Sequence, residues 1–212
     1  MTDPNLPIDV VIEPEGLQAR LGVPTKARGL VIFAHGSGSG RLSPRNSSVA
    51  AGLRDAGLAT LLLDLLTPEE ERDRANVFDI PLLAGRLVRA SAWAAARPEL
   101  HGLPQGYFGA STGGGAALLA AAHLGTEIAA VVSRGGRPDL AGPTALARVQ
   151  SPTLLIVGGL DTPVIEMNRC AMRQMTAPHE LVIVPGAGHL FEEPGTLEKV
   201  VDHAIAWFNR HF

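Results

Sequence analysis

A three-layer α/β sandwich is the fold this sequence predicts: a mostly parallel central sheet with an antiparallel N-terminal edge and helices on both faces. Short apolar runs recur along the chain, and several end at Gly, Ser or Asp. Stretches of helical length and period lie between them. The 24 glycines and 16 prolines are scattered as turns and form no low-complexity linker. Strands alternating with helices imply crossover connections and a parallel sheet covered on both faces. The 212 residues then make one domain, 1–212, and a composition 46% hydrophobic and 18% charged is sufficient for a core.

In chain order, residues 8–13 and 17–23 flank Pro14-Glu15-Gly16 and predict a hairpin. The run Leu30-Val31-Ile32-Phe33-Ala34 stops at a Gly/Ser tract, as a strand buried on both faces should. Comparable runs at 59–63, 106–109, 129–133, 153–158 and 180–184 are the other candidate central strands. Helices are expected over 44–56, 80–96, 112–124, 163–175 and 196–211. The last is clearest, because Leu197, Val200, Val201, Ala204, Ile205 and Phe208 recur three and four apart and form one apolar stripe.

Composition removes several function classes. With 18 Lys+Arg against 21 Asp+Glu the formal charge is −3, so there is no bulk attraction for nucleic acid or anionic lipid. A lone cysteine, Cys170, forms no internal disulfide and leaves a thiolate metal site short of ligands, so no metal and no cofactor is expected. Residues 1–10 lack the basic start and apolar stretch of a secretory signal, and no run reaches membrane-spanning length. The expectation is a cytoplasmic domain acting on a small molecule, with a homodimer left open.

In such a sheet, ligands sit beyond the C-terminal strand ends, so the residues after each run are the informative ones. After residues 106–108 comes Gly109-Ala110-Ser111-Thr112-Gly113, a G-x-S-x-G pattern between strand and helix that turns the chain sharply and holds the Ser111 hydroxyl out of the sheet. The plainer reading is that Ser111 only caps the helix. An alcohol needs a base to attack at neutral pH. His189, in Pro185-Gly186-Ala187-Gly188-His189 beyond the last strand, is the candidate; His123, His203 and His211 lie within helices, and His101 and His179 in turns before strands. The base needs an acceptor that sets its tautomer. Asp161 follows the run 153–160, with helix capping as its plainer role, and Asp64 is the main rival. The loop His35-Gly36-Ser37-Gly38-Ser39-Gly40 then offers the Ser37 N–H, with the Thr112 N–H, as an oxyanion hole. A phosphate loop is disfavoured, since no Lys-Ser/Thr follows the glycines and the spacing is not G-x-G-x-x-G.

On His35-Gly36-Ser37-Gly38, Gly109-Ala110-Ser111-Thr112-Gly113, Gly159-Leu160-Asp161 and Gly188-His189, the chain resembles the α/β-hydrolase superfamily, and within it the dienelactone hydrolase-like group. The order Ser111, Asp161, His189 is the one that resemblance implies; Asp64 would break it. Ser43-Pro44-Arg45-Asn46 and Ser133-Arg134-Gly135-Gly136-Arg137-Pro138 resemble stretches of hydrolase domains sometimes fused to phosphoribosyltransferases. Dienelactone hydrolases carry a cysteine nucleophile where this chain has Ser111, which implies a serine carboxylesterase acting on small esters. Residues 134–151 are too few for a cap domain over the site, so compact or short-chain esters are expected. Arg45 and Arg134, with Phe191, are candidate substrate-binding residues: a guanidinium there can hold a substrate carboxylate, or it can tie loops through acids such as Asp139, as Arg137 also can. Leu65, Leu66, Phe78 and Leu190 are candidate pocket residues. The alternatives are a lactone hydrolase, a lyase or transferase on the same scaffold, or a non-catalytic ligand-binding module.

Overall fold

The computed structural model describes residues 6–212; the part of the leader reading that falls on residues 1–5 lies outside the described residues. Eight strands form one sheet in the order β1-β2-β4-β3-β5-β6-β7-β8, where β1 is Ile8–Ile12, β2 Leu17–Gly22, β3 Leu30–Ala34, β4 Ala59–Leu63, β5 Gln105–Ala110, β6 Ile128–Arg134, β7 Thr153–Gly158 and β8 His179–Val184. The hairpin partners β1 and β2 are antiparallel, as are β2 and β4; all other pairs are parallel. This is the predicted α/β sandwich, and all the expected strands are present.

The helices are α1 (Pro44–Asp55), α2 (Arg74–Val77), α3 (Ile80–Ala95), α4 (Thr112–Leu124), α5 (Pro143–Arg148), α6 (Thr162–Met172) and α7 (Thr196–His211). Two of them, α2 and α5, were not expected; four and six residues are too few to show a 3.6-residue period. The end of α6 falls three residues before the expected 175. Among the described residues no helix is long and apolar enough to cross a membrane.

Alternation along the strands divides the core in two. Leu30, Ile32 and Ala34 face a layer containing Leu83, Leu87, Ala90 and the small residues of α4. Val31 and Phe33 face Val49 and Leu53 of α1 and Val200, Ala204 and Phe208 of α7. Because both faces are covered, the five residues of β3 are all buried and read as one continuous run. On α7 the stripe faces the sheet as expected, with Val200, Ala204, Trp207 and Phe208 buried; each large side chain removed from water there contributes about 1.5–3 kcal/mol. In α4 almost every residue from Thr112 to Ala122 is buried, so it has no polar face. Small side chains let this helix lie close on the strands. The crossover between β6 and β7 holds a 3-10 turn, Pro138–Ala141, and α5, with no separate domain over the strand ends.

Candidate active site

Ser111 stands between β5 and α4 with φ 51° and ψ −122°, left-handed backbone that a residue with a side chain rarely adopts. Its side chain makes no capping bond to the helix, which removes the plainer reading of this residue. The strained conformation is held by its own peptide groups. Its N–H donates to the Arg134 carbonyl at 3.3 Å, and its carbonyl accepts the N–H groups of Gly114 and Arg137, each at 3.0 Å. The flanking glycines act differently from expectation: neither has a positive φ, and both are required for space. A methyl on Gly109 would stand 2.6 Å from the Gly113 carbonyl oxygen, and one on Gly113 would collide with the Ala34 carbonyl. The positive φ falls on the serine itself.

Asp161 occupies the N-terminal cap of α6 but makes no capping bond. Its Oδ2 instead lies 2.6 Å from His189 Nδ1. With Nδ1–H donating to a carboxylate, Nε2 is left with its lone pair as the basic atom. Asp161 is 13% exposed and His189 40%, so the carboxylate is sheltered while the imidazole faces outward. Asp64 is committed elsewhere: it accepts the Arg41 N–H at 2.6 Å and pairs with the Arg41 guanidinium. The His189 loop lies against the serine's support: a methyl on Gly135, next to the Arg134 carbonyl that holds Ser111, would stand 3.1 Å from the His189 carbonyl oxygen and 3.6 Å from the ring. Among the described residues, no hydrogen bond within 3.5 Å joins the Ser111 hydroxyl to His189. Such contacts are often long before substrate is bound.

Ser37 and Thr112 do meet, but through a bond the sequence did not suggest: the Ser37 N–H donates to Thr112 Oγ1 at 3.0 Å. The Ser37 amide is therefore already engaged, and an oxyanion would have to share or replace the threonine hydroxyl. The Thr112 N–H, in the first turn of α4, has no intrahelical partner. Gly36 brings this loop close, since a methyl there would lie 3.0 Å from the Ser111 Cβ.

Two residues that sequence reasoning passed over fix these loops. His35 is buried and accepts the Leu65 N–H on Nε2 at 3.0 Å, so Nδ1 donates to the Gly36 carbonyl at 2.9 Å. It ties the loop after β3 to the end of β4. Glu193 accepts the Gly188 N–H at 3.1 Å, which helps hold its carboxyl below the usual range and braces the turn that carries His189. Both bonds join a side chain to a backbone N–H, of a distant segment for His35 and of the same turn for Glu193, and no sequence pattern signals them.

The candidate substrate-binding residues separate. Arg45 pairs with Glu192 at 2.8 Å. Arg137 bonds Asp139 through two nitrogens, at 2.9 and 2.7 Å, the loop-tying role. Arg134 is different. It is 7% exposed, the one hydrogen bond of its side chain among the described residues is a long 3.4 Å contact to Asn46 Oδ1, and its Nε is enclosed without a partner. Burial and the nearby Arg45 charge lower its pKa to about 10, so it remains a cation at neutral pH. Its guanidinium carbon stands 5.9 Å from the centroid of Phe191, which is buried and itself has φ 55°. Leu65 is core rather than pocket. Leu66 lines a narrow crevice with Val77, Leu83, Glu71 and the loop from His35 to Gly38. Phe78 and Leu190 are half-exposed. A larger cleft between α3 and α4, lined by Pro81, Val88, Arg89 and His123, contains none of the candidate site residues. Among the described residues, no cluster of His, Cys, Asp or Glu is arranged to hold a metal ion.

Comparison with known proteins bears on the family and the fold. Residues 17–211 match the dienelactone hydrolase family. A "Putative phosphoribosyl transferase" of Mycobacterium tuberculosis is 58% identical over 204 residues, covering 96% of this chain and 46% of that protein, so the chain spans about half the length of that curated relative. A "Probable 2-oxo-3-(5-oxofuran-2-ylidene)propanoate lactonase" of Bradyrhizobium sp is 32% identical over 166 residues, 68% of this chain and 66% of that one. The crystal structure of a dienelactone hydrolase from Anabaena variabilis is 53% identical, with a TM-score of 0.92 over 98% of this chain and 99% of that one. With a family match over nearly the whole chain and a shared sheet architecture, this chain belongs to the dienelactone hydrolase family and has the α/β-hydrolase fold.

Proposed function

We propose that this domain is a serine carboxylesterase that cleaves compact carboxylic esters through an acyl-enzyme on Ser111. The observation that carries the reading is the 2.6 Å Asp161–His189 bond, together with a Ser111 held at φ 51° by the carbonyl of Arg134, whose neighbour Gly135 packs on His189. In the proposed cycle, His189 Nε2 takes the Ser111 proton as the hydroxyl attacks the ester carbonyl, and Asp161 stabilises the imidazolium. The Thr112 amide, with the Ser37 amide once its threonine contact yields, receives the negative oxygen. His189 then protonates the leaving alcohol, and water repeats the sequence on the acyl-enzyme. Ser111→Ala should abolish turnover and labelling by a fluorophosphonate probe; a fully active Ser111→Ala enzyme would overturn the assignment.

Arg134 supports a substrate with an acidic group. A buried guanidinium without a carboxylate carries a desolvation cost of several kcal/mol, and a bound anion would offset it. Lactones are the second reading: the Bradyrhizobium relative is named for a lactone that bears a carboxylate. The short helical turns between β6 and β7, which leave the site without a cap, suit small substrates. A series of p-nitrophenyl esters assayed beside acidic and neutral lactones tests both: preference for long acyl chains over acetate and butyrate would contradict the compact-substrate assignment.

A further inference from the structure

The segment Gly135-Gly136-Arg137 wraps the serine, and one of its peptide groups is bonded on both sides. The Arg137 N–H donates to the Ser111 carbonyl at 3.0 Å. The carbonyl of that same peptide, Gly136 O, accepts Asn168 Nδ2 at 3.0 Å. Asn168 lies on α6, is fully buried, and its Nδ2 also donates to the Val164 carbonyl at 2.8 Å, so both amide protons are used and the side chain has one orientation. A peptide is planar and rigid, and a bond to its carbonyl polarises its N–H, so Asn168 sets both the position and the donor strength of the group that holds the Ser111 carbonyl.

Asn168 stands seven residues after Asp161, two helical turns, which places both on one side of α6 about 10 Å apart. One end of α6 thus presents the carboxylate that orients His189, and its buried face presents the amide that supports Ser111.

We infer that Asn168 is a positioning residue for the nucleophile, acting through the Gly136–Arg137 peptide; this rests on Ser111 being the nucleophile. In Asn168→Asp the shape is kept, but a carboxylate oxygen replaces the donor and faces two carbonyls. In Asn168→Ala the donor is simply removed.

The test compares wild type, Ser111→Ala, Asn168→Asp and Asn168→Ala. Competent sites are counted by fluorophosphonate titration, and exchange of the Arg137 amide is followed by NMR. In both Asn168 variants, kcat per titrated site should fall about tenfold to hundredfold with KM within about twofold, as expected for a displaced nucleophile. Exchange at Arg137 should speed up while amides of β7 are unchanged. A merely structural role would lower the yield or Tm but leave kcat per titrated site at the wild-type value, and that result in the folded fraction of either variant overturns the inference. Failure of the nucleophile assignment is separately visible, because Ser111→Ala would then remain active. Slow, wild-type exchange at Arg137 in both variants would also overturn the inference, whatever the activity.

Discussion

On the Asp161–His189 side the site is drawn together by two side chains; on the Ser111 side almost every contact belongs to the backbone. The His189 imidazole is oriented by a 2.6 Å bond to the Asp161 carboxylate, with Glu193 bracing the turn behind it. Ser111 is held by peptide groups of Arg134, Gly114 and Arg137, by glycines that leave no room for a methyl, and by a loop whose Ser37 N–H is bonded to Thr112 Oγ1. The difference separates two kinds of determinant. Side-chain contacts can be removed one at a time. A backbone scaffold responds mainly to steric insertion or to loss of a group that anchors it from outside.

The largest effect should come from the base side. Asp161→Asn keeps the shape but reverses the imidazole tautomer, and kcat should fall about 10⁴-fold; Asp64→Asn, which disturbs only the Arg41 contacts, should stay within about tenfold, and equal losses in the two variants would erase the distinction between them. On the serine side, Gly113→Ala forces a methyl into the Ala34 carbonyl, a backbone obstacle that cannot move aside, so thermal unfolding should show a loss of about 1–3 kcal/mol or more.

A smaller effect is expected at Arg134. Arg134→Lys should weaken kcat/KM for acidic esters about tenfold while sparing neutral ones, because a lysine does not reproduce the planar fork; equal loss on both would assign Arg134 to structure. The sign of its pH dependence follows from burial. The charge is present below the lowered pKa of about 10 and is lost only as pH rises through it. The ratio of acidic to neutral kcat/KM should therefore stay flat from about pH 6 to about pH 9. Thr112→Ala sharpens the comparison most finely: it removes the hydroxyl that occupies the Ser37 N–H and keeps the Thr112 amide, so kcat should change only a few-fold, whereas a loss of about 10²–10³ would give the hydroxyl itself a donor's role.

Sequence alone determined the alternation of strand and helix and the positions of Ser111, Asp161 and His189 at strand ends. Each of these depends on local pattern: continuous apolar runs for strands covered on both faces, a 3.6-residue stripe on α7, and Gly-rich turns after the runs. Chain order in the resemblance already favoured Asp161 over Asp64, since both follow apolar runs; the tertiary structure added the physical ground, with Asp161 on the imidazole and Asp64 on Arg41. It also separated three arginines of one composition into a loop tie, an ion pair and a buried cation without a carboxylate. Glu193 and Asn168 went unseen in the sequence, and His35 was legible only as part of its loop motif, because each acts on a peptide group, and a backbone N–H or carbonyl leaves no mark in a sequence. The physical reason is that periodicity reports which face of an element is buried, whereas a side-chain bond to a peptide group depends on distances that exist only after the chain has folded.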